Sequence, residues 1–277
     1  TTTLKGLNSI YKDPITGAPT FFTISADRQF QNTAPEFALL YRPNTEWQFR
    51  GRVATGYGTP QVGNLFVLSN GQNGNNTQLQ TQKNLGYDLG FDWTPNSALK
   101  LSVTGFYEFF RNELVTQATP ANAPNSSFQF NASRSEHRGV ELAADWKFYP
   151  GWRFTAAYTY LDQFYTEYTE DLRSGGTLFN FNRAGNKIPG ISPNELTARL
   201  GYDQMWGSLA GLGAFVEVQW KDSFYMDNAN LQKAPGYELV NLNVHYKTDL
   251  ISDYFKSLNL YFEVRPNLRS VCEQHRK

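Results

Sequence analysis

The chain has 277 residues, with 25 Lys+Arg against 25 Asp+Glu and no formal net charge, which excludes a nucleic-acid binder driven by phosphate neutralisation. A single cysteine, Cys272, excludes an internal disulfide, and no Cys/His cluster has zinc-finger spacing. Mean hydropathy is −0.52, and no run approaches the roughly 18 apolar residues of a membrane helix, so a helical membrane protein is excluded. A β-barrel is not, because alternating strands average out as polar. The length suits one large domain or two small ones.

Residues 1–33 open without a basic segment followed by an apolar one, so no signal peptide is read there. Lys12-Asp13-Pro14-Ile15-Thr16-Gly17 is turn chemistry. Either the protein is cytosolic or the start of a longer protein is missing.

Further on, alternation with period two dominates, placing one set of side chains on each face of a strand. In Leu85–Trp93, Leu85, Tyr87, Leu89, Phe91 and Trp93 alternate with Gly86, Asp88, Gly90 and Asp92. Val140–Phe148, Trp152–Tyr160 and Val240–Tyr246 repeat the pattern. Phe37–Tyr41, Trp47–Tyr57, Leu99–Phe109, Leu196–Tyr202, Leu212–Trp220 and Leu258–Val264 show it less cleanly. Ten strands are predicted, and no amphipathic helix of comparable length.

A soluble β-sandwich also alternates, but its strands usually run about 5–6 residues. Several here sustain alternation for about 9–11, the length of a tilted strand crossing a bilayer. The apolar rows tend to end in aromatics such as Trp47, Tyr57, Trp93, Tyr107, Trp146, Trp152 and Trp220, the composition of a membrane girdle. Connections also alternate in length. Short ones lie at 42–45, 94–97, 149–151 and 205–211, with a slightly longer one at 248–257. Long ones lie at 58–83, 112–133, 165–193 and 224–234. Short turns on one rim and long loops on the other describe an outer-membrane barrel, the short side periplasmic. The expected fold is therefore all-β, an antiparallel up-and-down transmembrane β-barrel, with residues 1–33 an extracellular loop and no interdomain linker.

Four motifs in order give the chain a family resemblance. Ala34–Pro43 followed by Trp47–Gly56 looks like a hairpin whose first strand ends at a Tyr-x-Pro turn. Thr81–Gly90 looks like a strand entered from a long loop, with an aromatic-acid-Leu-Gly core. Arg138-Gly139-Val140-Glu141-Leu142 and Ala184-Gly185-Asn186-Lys187-Ile188-Pro189-Gly190 complete the set. Together they resemble the C-terminal barrel portion of TonB-dependent outer-membrane receptors, particularly siderophore receptors, over residues 34–264. The resemblance implies about ten strands of a barrel of about 22, in the outer membrane of a Gram-negative bacterium. It also implies a ferric siderophore as cargo and the TonB complex as a partner reached through an N-terminal part. A whole member also carries a signal peptide, a TonB box and a plug domain, none of which is read here. Residues 265–277 lack alternation and the family's closing strand, and read as an atypical tail from truncation or a frameshift. The chain is expected not to transport alone.

No catalytic constellation is expected and the chain is not read as an enzyme; no cofactor, metal ligand or ligand-binding residue is assigned. His137, His245 and His275 are scattered, and His245 reads as a lumen-facing polar residue. Glu167, Glu170 and Asp171 read as a solvated loop rather than an acid/base pair. Gly56-Tyr57-Gly58 lacks the strand–turn–helix context of a phosphate loop, and the glycosylation patterns at Asn75 and Asn125 mean little in a bacterial outer membrane. Arg50, Arg52, Lys100, Glu108, Glu141, Asp145, Arg153, Arg199 and Glu217 are expected to line a wet lumen. Tyr87, Leu89, Phe91, Val140, Leu142, Phe154, Tyr158, Leu242 and Val244 are expected to face lipid, opposite Asp88, Asp92, Glu141, Asp145, Arg153 and Asn243. A passive porin-type barrel and a soluble β-rich binding protein remain the alternatives.

Overall fold

The computed structural model describes residues 2–4, 7–12, 19–24, 28–119, 123–174, 177–252 and 255–264. Ten strands form one antiparallel sheet in consecutive order: β1 (Glu36–Tyr41), β2 (Trp47–Gly58), β3 (Gln82–Asn96), β4 (Leu99–Ala118), β5 (Ser127–Tyr149), β6 (Trp152–Glu167), β7 (Asn194–Asp203), β8 (Leu212–Lys221), β9 (Tyr237–Ser252) and β10 (Phe255–Val264). Each of the ten alternating segments coincides with one of them. β1 and β10 do not pair with one another, so the sheet is an open sector rather than a closed barrel.

The pairing register carries each alternation from strand to strand without a slip of face. Phe49, Phe91, Val103, Leu142, Tyr158, Leu196 and Trp220 are successive cross-strand partners. One residue away, Arg50, Gly90, Thr104, Glu141, Thr159, Glu195 and Lys221 form the next row. Directly opposed residues share a face, so the sheet has one apolar and one polar side. Leu89 on the apolar side is 73% exposed, whereas Glu217, Asn241 and Asn243 on the polar side are each 8% exposed. A globular core would show the reverse; here the polar side is the sheltered one.

The short-turn rim is built from ring pairs and side-chain caps. Asn44 Oδ1 accepts from the amides of Glu46 and Trp47 at 3.0 and 2.9 Å, closing the β1–β2 turn. Asn96 Oδ1 does the same for Ala98 and Leu99 at 2.8 and 3.1 Å. Trp47 packs on Phe49, Phe91 and Trp93, each at 5.6 Å between centroids. Trp146, Phe148, Trp152 and Tyr202 continue the belt at 5.1–6.0 Å. Such pairs contribute about 0.5–1.5 kcal/mol each beyond area burial.

Two motif glycines answer to close approach. A Cβ on Gly139 would lie 2.3 Å from the Tyr160 carbonyl oxygen and 2.6 Å from the Phe106 ring. One on Gly90 would lie 2.5 Å from the Val103 carbonyl oxygen and 3.1 Å from the Arg50 guanidinium. Both keep room on the polar face for a neighbouring strand's large side chain.

The connections differ from expectation. Residues 112–133 are in large part a continuation of β4 and β5, paired from Glu113↔Ala132 to Ala118↔Ser127. β4 and β5 thus reach 20 and 23 residues, about twice a membrane crossing. The sequence hides this because Asn112 takes φ +54°, breaking the alternation, and because beyond the bilayer neither face must be apolar. Residues 165–193 contain a two-stranded ribbon, Thr169–Ser174 with Thr177–Asn182. The 248–257 connection is mostly strand. Within residues 1–33, Thr2–Leu4 pairs with Arg28–Phe30 and Leu7–Lys12 with Pro19–Ile24, as short two-stranded ribbons outside the ten-stranded sheet. The Asp13–Gly17 turn and the 265–277 tail, with Cys272 and His275, lie outside the described residues.

Leu142 and Glu141 test the two faces. A cysteine at 142 should react with a lipid-soluble maleimide and resist an impermeant one, and a cysteine at 141 should do the opposite. The reversed pattern would overturn the face assignment, since a one-residue register slip exchanges all of it.

Candidate functional site

The polar face is a wall of paired charges. Arg50 lies 2.8 Å from Asp92 and donates to Thr104 Oγ1 at 2.5 Å, while Ser102 Oγ donates to Asp92 at 2.6 Å. Arg52 bridges Glu36 at 2.9 Å and Asp88 at 3.0 Å. Arg153 forks onto both oxygens of Asp145 at 2.8 and 2.6 Å, with Lys100 opposite Asp145 on β4. Arg199 donates twice to Glu217 Oε2, at 2.9 and 2.5 Å, while Gln219 and Asn241 donate to Oε1. Glu108 accepts from Asn84 at 3.2 Å, and Glu141 sits in the row between Thr104 and Thr159. His245 lies between Asn243 at 3.0 Å and Asp203 at 2.8 Å. All nine residues expected to line a lumen share this face. Most of its charges are paired locally, which weakens the net field of the wall.

Above the wall, the β4–β5 extension is packed on both sides. Leu114 lies against buried Phe30, Leu65, Phe66 and Leu79. Val115 and Phe130 pack on buried Ala132, Tyr165 and Tyr168, together with Ile188. The Gly-Asn-x-Ile-Pro loop explains itself here. Gly185 and Gly190 take φ +87° and +81°, and between them the chain straps onto β6 where β7 has not yet begun. The Tyr165 amide donates to Asn186 O at 2.9 Å and the Ile188 amide to Gln163 O at 3.1 Å. Asn230 then exchanges hydrogen bonds with the Lys187 backbone at 2.7 and 2.9 Å, tying in the 224–234 connection.

At the centre of this cluster, Glu170 is buried, 2.7 Å from Arg183, and accepts from Asn228 Nδ2 at 2.8 Å. Tyr165 donates to Asn228 Oδ1 at 3.1 Å. Glu170 is therefore no solvated loop residue, although Glu167 and Asp171 remain exposed. Burial pushes the Tyr168 hydroxyl well above the usual phenol range, and nearby Glu170 adds to it. Burial opposes ionisation of Asp227, but the amides of Gln232, Leu231 and Ala229 hold its carboxyl below the usual range. A second buried group joins Glu113, Ser135 and His137. The His137 ring lies 3.4 Å from Glu113 and stacks on Phe110 at 4.2 Å. The sequence signals neither cluster, because their members come from segments with no common spacing. Asn125 is likewise structural, donating to Gly71 O and Asn73 Oδ1 at 2.9 Å each. Among the described residues, no group of His, Cys, Asp and Glu is placed to hold a metal ion.

A continuous antiparallel sheet with an exposed apolar face, aromatic belts, a polar inner wall and structured long connections on one rim defines part of a membrane-spanning β-barrel. The profile of the TonB-dependent receptor-like β-barrel family matches residues 9–268, and the chain belongs to that family. The fold is that of receptors and transporters rather than enzymes, and its place is the Gram-negative outer membrane. The iron-regulated outer membrane virulence protein of Vibrio cholerae is 25% identical over 128 residues, 41% of this chain and 20% of that protein. The siderophore receptor PiuA of Acinetobacter baumannii matches with a TM-score of 0.66 at 19% identity, covering 94% of this chain and 34% of the receptor. The ferric yersiniabactin uptake receptor FyuA of Yersinia pestis gives 0.59 at 17%, covering 83% and 32%. The copper transporter OprC gives 0.62 at 14%, covering 86% and 34%. At these identities the structural likeness concerns the fold alone. The chain spans about a fifth of the curated relative and about a third of the solved receptors.

Arg183→Met tests the buried pair. Removing one partner of such a pair costs about 3–5 kcal/mol. Hydrogen exchange at Gly185 and Ile188 should therefore accelerate by about two orders of magnitude or more. Adding Glu170→Leu should restore most of the protection; exchange unchanged in the single variant would show that the pair does not hold the strap.

Proposed function

We propose that these ten strands are the C-terminal barrel portion of an outer-membrane receptor that takes up ferric siderophores, with the long-connection rim facing outward. The single observation that carries the reading is the structured rim standing over a polar wall whose charges are mostly paired. A passive pore needs only the wall. A receptor needs a shaped, water-facing mouth. The β4–β5 extension, the Gly185–Gly190 strap and the 224–234 connection are fastened to one another by the hydrogen bonds described above.

The rim also carries chemistry suited to anionic iron chelates with aromatic arms. Phe181 lies under Arg183 at 4.9 Å and Tyr225 under Lys233 at 4.7 Å. Phe179 and Phe181 are exposed. Exposed aromatic faces stack on the aromatic arms of a chelate, and Lys233 adds positive charge, whereas Arg183 is already neutralised by Glu170. Similarity to two siderophore receptors and an iron-regulated outer-membrane protein favours the same cargo class.

Ten strands with two unpaired edges do not transport by themselves on this reading. In lipid the bare N–H and C=O groups of β1 and β10 need partner strands. Uptake against a gradient further needs a plug that closes the lumen and a segment that reaches the TonB complex.

Expression in a strain lacking siderophore uptake tests the proposal. The chain with an added signal peptide should restore nothing, and a version extended upstream should restore energy-dependent uptake of an iron chelate. Restoration by the chain alone would overturn its incompleteness. Import of copper or another unrelated cargo by the extended version would overturn the substrate assignment and leave the receptor class standing.

A further inference from the structure

Two sheltered carboxylates above the wall are partnered differently. Glu170 faces Arg183, a guanidinium that keeps its charge at every working pH. Glu113 faces an imidazole instead: His137 Nε2 lies 3.4 Å from its Oε1, while Ser135 Oγ donates to its Oε2. Both side chains of this pair are largely buried. A further acid, Glu108, is directly opposed to His137 across β4 and β5. Among the described residues, His137 is the one basic group in salt-bridge range of Glu113, and Glu108 has none.

The imidazole sits at a joint. Phe110 stacks on it at 4.2 Å, Ser135 Oγ lies 3.4 Å from Nε2, and Gln163 is its directly opposed partner on β6. Tyr165, fully buried and directly opposed to Ser135, links this group to the strap. Its amide donates to Asn186 O and its hydroxyl to Asn228 Oδ1. A sheltered carboxylate is costly without a cation beside it. With a neutral ring, Glu113 has the Ser135 hydroxyl and no cation. A protonated ring supplies the missing charge and turns the 3.4 Å approach into a charge-assisted hydrogen bond. Acid therefore favours the assembled joint, and the gain is lost as the ring gives up its proton.

We propose that His137 is a proton-operated latch of the rim. Acidification charges the ring, pairs it with Glu113 beside Glu108, and tightens the strap against the β4–β5 extension. The titratable groups facing the ring are Glu108 and Glu113 from β4, with Tyr165 of β6 beyond Ser135. Carboxyls and phenols ordinarily titrate outside the range of about pH 5 to 8 in which histidine changes charge, which leaves His137 as the group that switches within it. That the proton comes from the external medium rests on the outward-facing rim proposed above. The mouth is then stiffer in acidic medium than in neutral medium.

The test uses the complete receptor that carries these strands, folded in phosphatidylcholine nanodiscs. Hydrogen exchange at the Tyr165 and Ile188 amides is compared at about pH 5.5 and about pH 8, each rate divided by the intrinsic rate at that pH. Wild type should be protected about tenfold more at the acidic value, the size of a hydrogen bond to a charged group. His137→Gln keeps a polar side chain that cannot charge, and should show equal protection at both values. Glu113→Gln should lose most of the difference, and His245→Gln, at the opposite rim, should keep all of it. Equal protection in wild type, or greater protection at the basic value, overturns the latch whether or not a variant folds. A difference that survives in His137→Gln overturns His137 as the site of the proton. One that survives in full in Glu113→Gln overturns the partner. Nanodiscs expose both rims to one buffer, so a failure here is separate from a failure of the outward-rim reading. That failure would show as lost labelling of rim cysteines on intact cells.

Discussion

The requirement that every backbone N–H and C=O in hydrocarbon find a partner within the protein governs this structure. An antiparallel ladder meets it only if each strand pairs on both sides along the whole crossing. The consecutive order of β1 to β10, with no crossover, is the simplest route to that condition. Once the ladder is continuous, alternation is no longer a local preference but a property of the whole sheet. Each apolar row then adds to a lipid-facing band, and each polar row to the opposite wall.

The wall must in turn neutralise its own charges in a partly sheltered place. Arg50 with Asp92, Arg153 with Asp145 and Arg199 with Glu217 do so across neighbouring strands. Long guanidinium side chains need space to lie across the sheet, and Gly90 supplies it beneath Arg50. Glycine weakens an isolated strand, so its use here marks a place where packing across strands outweighs local propensity. Gly139 follows the same logic under Phe106, where the chain trades a side chain for close approach to Tyr160.

Beyond the bilayer the constraint relaxes, and water meets both faces. The β4–β5 extension then holds its form through two small apolar clusters, one on Leu114 and one on Val115 and Phe130. Buried polar groups enter at the same level: Glu170 with Arg183 and Asn228, and Glu113 with Ser135 and His137. Burial of charge is costly unless it is fully partnered, so these clusters fix the relative positions of connections that share no ladder. The rim is thus a tertiary construction, whereas the wall is a ladder.

By itself the sequence determined the ten strands, their order, their two faces and the family. The strands and faces follow from a period-two signal that is local, as in Leu85–Trp93, and reinforced by every neighbouring strand. The order follows from alternating short and long connections, and the family resemblance from four motifs in sequence. It also determined which side Arg50, Arg52, Lys100, Glu108, Glu141, Asp145, Arg153, Arg199 and Glu217 would take, since parity along a strand decides that. The tertiary structure alone decided which of those charges pair, because a salt bridge depends on register between strands far apart in the chain, as Arg50 and Asp92 are. It alone decided the length of β4 and β5, where positive φ at Asn112 breaks the alternation that reveals a strand. It alone converted Glu170 from an apparent surface acid into a buried partner of Arg183. That last change depends on segments near 165, 185 and 228 being drawn together by packing, a contact that residue spacing does not encode.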